Sequence, residues 1–352
     1  MIDWMNHYNW PRTMSYDARI NLIIGGRDYG KTYGLRYIFL KQYIERDRHP
    51  RFVEICRTKE LIKSIRRGYL EKVIREFPGY EYRAYANEAQ VKRKDGEWET
   101  CGYFVSLSEA LAAKQSTYID VANIVMDEAL IDRKISRYQR YEPNELMCIQ
   151  NLIDSCTRED TADDERLVPK LYLLGNAVDC VNPYFDAFRV PIRDLGAYGY
   201  RWYMDKRVLM HHVEDNPTMQ VRKTETLAGI LAGIIDNEGQ ARGSEFAVDD
   251  RYVFDKPARA KFQYGIKFEG ERYGIWIDWT KGYYFVCSGL PKGDRLVFAL
   301  TASDNAPNLQ MIRRAAPQLQ TVAECYMAGT VMFDSARTRE KFMRVLNLLG
   351  VR

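Results

Sequence analysis

Short apolar runs alternate with amphipathic stretches along the first half of the chain. The apolar runs, which are typical of strands buried on both faces of a sheet, cover residues 19–24, 52–56, 124–126 and 171–174. Residues 31–46 and 59–77 instead repeat apolar side chains at helical spacing, which predicts two helices. Residues 80–106 have the pattern of strands joined by a turn at Lys94-Asp95-Gly96. This alternation predicts an α/β domain with a parallel-rich sheet.

The pattern changes beyond about residue 214. Aromatic-rich stretches predict four strands at 261–268, 273–279, 283–288 and 296–301. Helical periodicity then covers 308–328, with a break at Pro317, and 337–349. We therefore expect one domain over residues 1–213, a small linker over 214–246 and an α+β domain over 247–352.

Composition excludes several classes of protein. The 352 residues are 46% apolar and 28% charged, and no apolar run approaches the roughly 18 residues of a membrane helix. The N-terminal residues lack the pattern of a secretion signal. Seven cysteines without a C-x-x-C pair and four histidines favour reduced thiols over disulfides or a metal site. We expect a cytosolic protein with no membrane partner.

The strongest motif lies between the first predicted strand and the first predicted helix. It fits G-x-x-x-x-G-K-[ST] and consists of Gly25, Gly26, Arg27, Asp28, Tyr29, Gly30, Lys31 and Thr32. Glycines let the backbone approach phosphate closely, and the N–H groups at the helix start bind negative charge. Lys31 is expected to contact the β- and γ-phosphates, and the Thr32 hydroxyl to bind Mg²⁺. The sequence therefore predicts a nucleotide site.

Two further strands end in polar residues that suit this chemistry. The run 123–126 is followed by Asp127 and Glu128, the form of a Walker B segment. Asp127 would hold Mg²⁺, and Glu128 would activate the attacking water. Asn176 ends the strand-like run 170–176 and either senses the γ-phosphate, positions the attacking water or caps a turn. No N-K-x-D string is present, which favours ATP over GTP.

Positive charge is concentrated locally although the net charge is only +4. Residues 57–75 contain seven basic side chains against two acids, and residues 313–352 seven against three. A third cluster comprises Arg133, Lys134, Arg137 and Arg140. Such patches can bind a polyanion, and a solvated helix face is an equally good interpretation of each one.

With these elements in order, the chain resembles the DNA-packaging (encapsidation) ATPases of small podoviruses of the phi-twenty-nine type. The similarity covers nearly the whole chain. Its most specific segments are Asn176-Ala177-Val178, Val181-Asn182-Pro183-Tyr184-Phe185 and Gly274-Ile275-Trp276-Ile277-Asp278. The resemblance implies a P-loop ATPase domain of the ASCE type, followed by a linker and an RNase H-like α+β domain.

The family's function supplies further expectations. Its members form a ring, usually a pentamer, at the portal vertex of an empty capsid and use ATP to drive double-stranded DNA inward. By the same resemblance, Arg158 would be an arginine finger that acts on a neighbouring subunit, and Lys59 a second trans-acting residue. The acidic segment 159–165 departs from the family pattern and puts the placement of Arg158 in doubt. Localisation would be the host cytoplasm, with transient docking on the procapsid. A structural packaging RNA is a partner in some relatives, and the sequence leaves its presence here open.

The RNase H-like domain resembles a nuclease without its metal ligands. Its first predicted strand, 261–268, carries no acid, and Asp278 and Asp304 form no recognisable constellation. We expect a degenerate nuclease that binds nucleic acid or the portal. Two alternatives stay open: a terminase- or helicase-like DNA ATPase with an active C-terminal nuclease, and a nucleotide-controlled binding module without sustained turnover.

Overall fold

The computed structural model divides the chain into two compact units, Met1–Ala247 and Val248–Arg352. The residues that the structure describes are 7–27, 29–46, 49–109, 118–131, 141–142, 144–157, 169–177, 182–195, 197–214, 227, 230, 252–293 and 295–351. Apart from residues 214, 227 and 230, the expected linker lies outside the described residues.

The first unit alternates strands and helices. Its described strands are β1 Ile20–Ile24, β2 Arg51–Cys56, β3 Tyr80–Tyr85, β4 Glu88–Arg93, β5 Glu99–Ser106, β6 Val121–Met126, β7 Lys170–Gly175, β8 Gly199–Tyr203 and β9 Val208–His212. Its described helices are α1 Trp10–Met14, α2 Lys31–Glu45, α3 Lys59–Ile65, α4 Glu145–Thr157, α5 Pro183–Ala187 and α6 Ile192–Leu195.

Within the described residues, these strands form one sheet in the order β3-β4-β5-β2-β6-β7-β1-β9-β8. Neighbouring strands are parallel along the run β5-β2-β6-β7-β1-β9. The outer pairs β3-β4, β4-β5 and β9-β8 are antiparallel. The prediction of an α/β fold with a parallel-rich sheet is confirmed. The β8-β9 hairpin was not predicted, because the half-buried β8 mixes polar and aromatic side chains without alternation.

Both faces of the central strands are buried, which explains why they are apolar throughout. On β1, Leu22 and Ile24 join the core cluster that contains Ile149 of α4 and Tyr184 of α5. The intervening Ile23 joins the opposite cluster, which contains side chains of α1, α2 and α3. Alternate residues of one strand therefore hold helices on the two sides of the sheet.

The helix predicted over residues 59–77 is wrong in length. Helix α3 ends at Ile65, and turns and a short 3₁₀ segment, Ile74–Glu76, follow. Gly68 disfavours continuation because its backbone loses the most entropy in a helix. Tyr69 then lies buried and its hydroxyl donates to the Glu54 carboxylate.

The second unit is a mixed sheet with helices on one face. Its described elements are β10 Lys261–Phe268, β11 Glu271–Asp278, β12 Tyr283–Ser288, β13 Val297–Ala299, β14 Gln310–Met311, α7 Pro317–Met327, β15 Val331–Phe333 and α8 Ala336–Leu348. The described strands run in the order β14-β13-β10-β11-β12-β15. Helices α7 and α8 pack on the face that carries Ile266, Ile275 and Val286.

The helix predicted over residues 308–328 is also corrected. Pro317 begins α7 and does not interrupt a longer helix, and residues 310–311 form the short strand β14. Proline suits the first helical position because its missing N–H would have no partner there. Among the described residues, no helix has the length and apolar character needed to cross a membrane.

The N-terminal segment packs against the loop that follows β1. The Tyr8 amide donates to the Tyr29 carbonyl at 2.8 Å, and the Trp10 indole donates to the Lys31 carbonyl at 2.8 Å. The Tyr8 hydroxyl lies 2.8 Å from Nδ1 of His211, whose ring stacks on Tyr200 at a centroid distance of 3.7 Å. Burial, with a contribution from the positive charge of Arg12, lowers the pKa of His211 to about 3.

We predict that this buried imidazole makes the first unit sensitive to acid. An unfolded chain binds a proton at His211 near pH 6.5 and the folded chain only near pH 3, so stability is lost as the pH falls through this window. Relative to His211→Phe, the wild type is expected to lose about 2 kcal/mol of unfolding free energy between pH 6.5 and 5. Urea unfolding at a series of pH values measures this difference. Parallel pH curves for the two proteins would contradict the prediction.

Candidate functional site

The loop between β1 and α2 has a backbone conformation that only certain residues tolerate. Gly30 caps α2 with φ at 70°, and a Cβ atom there would lie 2.7 Å from the His7 ring. A Cβ at Gly26 would lie 2.3 Å from the Tyr29 ring. Both positions therefore favour glycine. Asp28 of the predicted motif lies outside the described residues.

Lys31 is the buried cation of this loop. It is 7% exposed, and its ammonium donates to the carbonyl oxygens of Gly25 and Gly26 at 2.7 and 2.6 Å. A buried ammonium requires such acceptors, and phosphate oxygens can replace them at the same position. The geometry therefore suits anion binding at the start of α2.

Parallel pairing brings three polar segments to one edge of the sheet. Strand β7 pairs with β1 on one side and β6 on the other. The loop after β1, the acids Asp127 and Glu128 after β6, and Asn176 after β7 consequently lie side by side. They surround a cavity of about 470 Å³ lined by Arg27, Tyr29, Gly30, Lys31, Thr32, Tyr33, Asp127, Glu128, Gly175 and Asn176.

The other predicted site residues are not brought into this cavity by the described part of the chain. Lys59 is the first residue of α3, exposed to solvent, and is not among the described residues lining the cavity. Arg158 directly follows α4 and lies outside the described residues. So do the acidic segment 159–165 and the predicted DNA-binding cluster, which consists of Arg133, Lys134, Arg137 and Arg140.

A buried charge network adjoins Asp127. The Arg36 guanidinium lies 3.8 Å from the Asp127 carboxylate and 3.8 Å above the Tyr69 ring. Glu54 in the centre of β2 accepts a hydrogen bond from the Tyr69 hydroxyl. Burial raises the pKa of Glu54 to about 7 against the opposing effect of Arg36. This network was not predicted from the sequence, where its only local signal is a lone carboxylate within the apolar run 52–56.

A second missed residue is Arg57, which the sequence groups with a basic run. Its side chain is only 12% exposed and forms an ion pair with Glu145 at 2.9 Å. The same guanidinium donates to the main-chain carbonyls of Glu128 and Ala129. Because Glu145 lies 88 positions further along the chain, no sequence spacing could predict the pair.

In the second unit, both candidate carboxylates already have partners. Asp278 pairs with Arg259 at 2.9 Å and accepts from the Thr280 amide at 3.1 Å. Asp304 accepts from the amides of Glu269 and Gly270, both at 2.8 Å.

These two carboxylates are also far apart. Asp304 contacts the turn that precedes β11, and Asp278 is the last residue of that strand. At about 3.4 Å per residue they lie at opposite ends of a strand that is more than 20 Å long. A two-metal site needs ions roughly 4 Å apart, so this pair cannot hold one. Among the described residues, no group of three or more His, Cys, Asp or Glu side chains could hold a metal ion.

Comparison with known proteins gives consistent matches over nearly the whole chain. A family model described as Podovirus DNA encapsidation protein (Gp16) matches residues 2–347. The DNA packaging protein of Bacillus phage B103 is 26% identical over 329 residues, which cover 93% of this chain and 96% of the relative. The DNA packaging protein of Bacillus phage phi29 is 26% identical over 331 residues, 93% of each chain.

Two solved structures share the fold. A chain of the bacteriophage Phi-29 viral genome packaging motor assembly superimposes with a TM-score of 0.76 at 24% identity, covering 98% of this chain and 99% of its own. The Phi-28 gp11 DNA packaging motor gives a TM-score of 0.61 at 19% identity, covering 97% of both chains. The resemblance predicted from the motifs is thereby confirmed: the chain belongs to the podovirus DNA encapsidation protein family.

Proposed function

We propose that this protein is the ATP-hydrolysing motor subunit that moves double-stranded DNA into a preformed capsid. The observation that carries the proposal is the convergence of Lys31, Asp127, Glu128 and Asn176 on one cavity at the edge of the parallel sheet. The relatives named DNA packaging proteins, and the likeness to a chain of a genome packaging motor assembly, support the DNA substrate.

The cavity residues fit Mg²⁺ and the phosphates of ATP. Lys31 would hold the β- and γ-phosphates in place of its present carbonyl partners. The Thr32 hydroxyl and the Asp127 carboxylate are oxygen donors of the kind that Mg²⁺ prefers. The metal, when bound, would neutralise charge that develops on the phosphates. Glu128 would take the proton of the attacking water, and the Asn176 amide would orient that water or contact the γ-phosphate.

Several residues would act between subunits of a ring. We infer that Arg158 serves as an arginine finger and Lys59 as a second trans-acting cation, in a ring that is a pentamer. Lys59 supports this inference by its exposed position at the start of α3, which leaves it accessible to a neighbouring subunit. The proposed DNA contacts are Arg133, Lys134, Arg137 and Arg140, acting through phosphates without sequence preference.

The proposed setting of the ring is the portal vertex of the capsid. The motor would act in the host cytoplasm while docked on the procapsid. A structural packaging RNA is a partner in some relatives, and its presence here stays open. The proposed domains are an ATPase domain over 1–213, a linker over 214–246 and an RNase H-like domain over 247–352.

We also propose that the C-terminal domain is a degenerate nuclease. The pairing of Asp278 with Arg259 and the use of Asp304 to bind a turn support the loss of metal binding. The alternative is a terminase- or helicase-like ATPase with an active nuclease. A nucleotide-controlled binding module without turnover is a third candidate, which steady-state ATPase activity that rises with DNA would exclude.

We predict that Lys31→Ala and Glu128→Gln separate binding from hydrolysis. Removing Lys31 deletes a charge-assisted phosphate contact and should weaken Mg·ATP binding about 10- to 100-fold. Glu128→Gln should keep the binding affinity and lower the hydrolysis rate by about 10²- to 10⁴-fold. Calorimetric binding and steady-state hydrolysis measure the two effects.

The matched control for this prediction is Lys41→Ala. Lys41 lies on the same helix α2, and its ammonium is exposed and paired at 3.8 Å with Glu45. Its removal should leave both binding and hydrolysis unchanged. Hydrolysis near the wild-type rate in both Lys31→Ala and Glu128→Gln would refute the proposed site.

We predict that Arg158 acts on a neighbouring subunit. Arg158→Ala and Glu128→Gln should each be inactive, because an arginine finger contributes about 10³- to 10⁵-fold in related reactions. Mixed rings should regain part of the activity, since some interfaces pair an intact Glu128 with an intact Arg158. ATPase activity is measured on mixtures whose co-assembly is verified by native mass spectrometry. Verified mixed rings that stay inactive, or full activity of Arg158→Ala alone, would exclude the trans role.

We predict that the protein does not cleave DNA with Mg²⁺ or Mn²⁺. The reason is that Asp278 and Asp304 cannot share a metal site. Incubation with supercoiled plasmid, followed by electrophoresis, measures nicking and linearisation. Metal-dependent cleavage that Asp278→Asn abolishes would instead support the alternative with an active nuclease.

A further inference from the structure

Glu128 has a backbone conformation that its own side chain does not favour. Its φ angle is 53°, in the left-handed region that few non-glycine residues adopt. Such a conformation persists only where the surrounding contacts hold it. The Glu128 amide donates to the Asp127 carboxylate at 3.0 Å, which fixes one side of this peptide.

Arg57 holds the other side. Its Nη1 donates to the Glu128 carbonyl at 2.8 Å, and its Nη2 donates to the Ala129 carbonyl at 2.6 Å. The Ala129 amide in turn donates to the Leu174 carbonyl of β7 at 2.7 Å. Two consecutive carbonyls are thus bound by one rigid guanidinium, which lies directly after β2.

The guanidinium is itself fixed along a second edge, which shares Nη2 with the edge that binds the two carbonyls. Its Nε and Nη2 form a bidentate pair with the Glu145 carboxylate at 3.0 and 2.9 Å, and the Glu145 side chain is fully buried. Glu145 also accepts from the Tyr184 hydroxyl and from the Glu142 amide. The Tyr141 ring lies 5.1 Å from the guanidinium carbon. Both side chains of this ion pair are therefore fixed by further contacts. Moving the Arg57 side chain would leave the buried Glu145 carboxylate without its positive partner, which is energetically costly.

We propose that Arg57 is a positioning residue for hydrolysis: it fixes the main chain of Glu128 and so directs the carboxylate toward the phosphate cavity. This inference rests on the proposed function, because it assigns Glu128 as the water-activating group. Its partner Glu145 is the first residue of α4, the helix that ends one residue before Arg158. This clamp, formed by Arg57 and Glu145, therefore connects the main chain of the water-activating Glu128 to the helix that precedes the proposed arginine finger.

The first test is the effect of Arg57→Gln on separate kinetic constants. We expect kcat for ATP hydrolysis to fall about 10²-fold, the cost of a displacement of about 1 Å at a reacting group. The Kd for Mg·ATP should change less than about threefold, because Arg57 does not line the cavity among the described residues. Arg57→Lys should retain part of the rate, since an ammonium supplies the charge without the planar fork.

Arg51→Gln is the matched control. Arg51 is the first residue of β2, at the end of the strand away from the cavity, and its guanidinium donates to the Tyr103 hydroxyl at 2.9 Å. It should leave kcat and Kd at their wild-type values. A fall in kcat equal to that of Arg57→Gln would mean that both variants merely disturb the strand, and would overturn the proposal.

The second test is a double variant, which distinguishes positioning from general stabilisation. If Arg57 acts through the Glu128 carboxylate, Arg57→Gln should cause no further loss of rate in the Glu128→Gln background. A further loss as large as in the wild type would overturn the proposal.

Folding and the proposed function are controlled separately. Thermal unfolding identifies a variant that does not fold. If Arg57→Gln does not fold, Arg57→Lys replaces it in the test. A folded Arg57→Lys with the wild-type kcat then overturns the proposal. If the wild type does not hydrolyse ATP, or Glu128→Gln does not slow it, the proposed function fails. If both behave as expected while folded Arg57→Gln keeps the wild-type kcat, only the positioning role fails.

Discussion

The parallel register of β6, β7 and β1 is the constraint on which the site depends. Ile24 of β1 lies opposite Gly175 of β7, and Met126 of β6 lies opposite Leu173 of the same strand. Strands β1 and β7 end level and β6 ends two residues earlier, so the segments that follow them meet at a single edge. A slip of one residue would turn every side chain to the other face of the sheet and separate these segments.

Three cations at this edge already have partners within the protein, and this pairing determines how a ligand can bind. Lys31 is bound to two carbonyls, Arg57 to a buried carboxylate and Arg36 to the network with Glu54 and Asp127. A phosphate must therefore exchange partners with Lys31 and does not neutralise an isolated charge. Arg57 and Arg36 have protein partners that a phosphate at Lys31 would not replace, and charges held in this way are the kind that can accelerate a reaction.

The sequence predicts those features whose signals are local. The phosphate loop, Asp127, Glu128 and Asn176 each follow an apolar strand, so strand ends alone suffice to assemble the cavity. The clamp between Arg57 and Glu145 could not be predicted, because it joins residues 88 positions apart that carry no motif. The early end of α3 and the start of α7 at Pro317 were mispredicted because helical periodicity continued through Gly68 and Pro317. Side chains that become partners only through the fold are therefore the features that could not be predicted from this sequence.

The most direct test of this account is an experimental structure of the protein with Mg²⁺ and a non-hydrolysable ATP analogue. We expect the Lys31 ammonium to leave the carbonyls of Gly25 and Gly26 for the β- and γ-phosphates, with the metal bound by Thr32 and Asp127. The Glu128 carboxylate should face the γ-phosphate while its carbonyl stays bound to Arg57. Phosphates bound away from this cavity, or a Lys31 that keeps its carbonyl partners beside the bound analogue, would contradict the account.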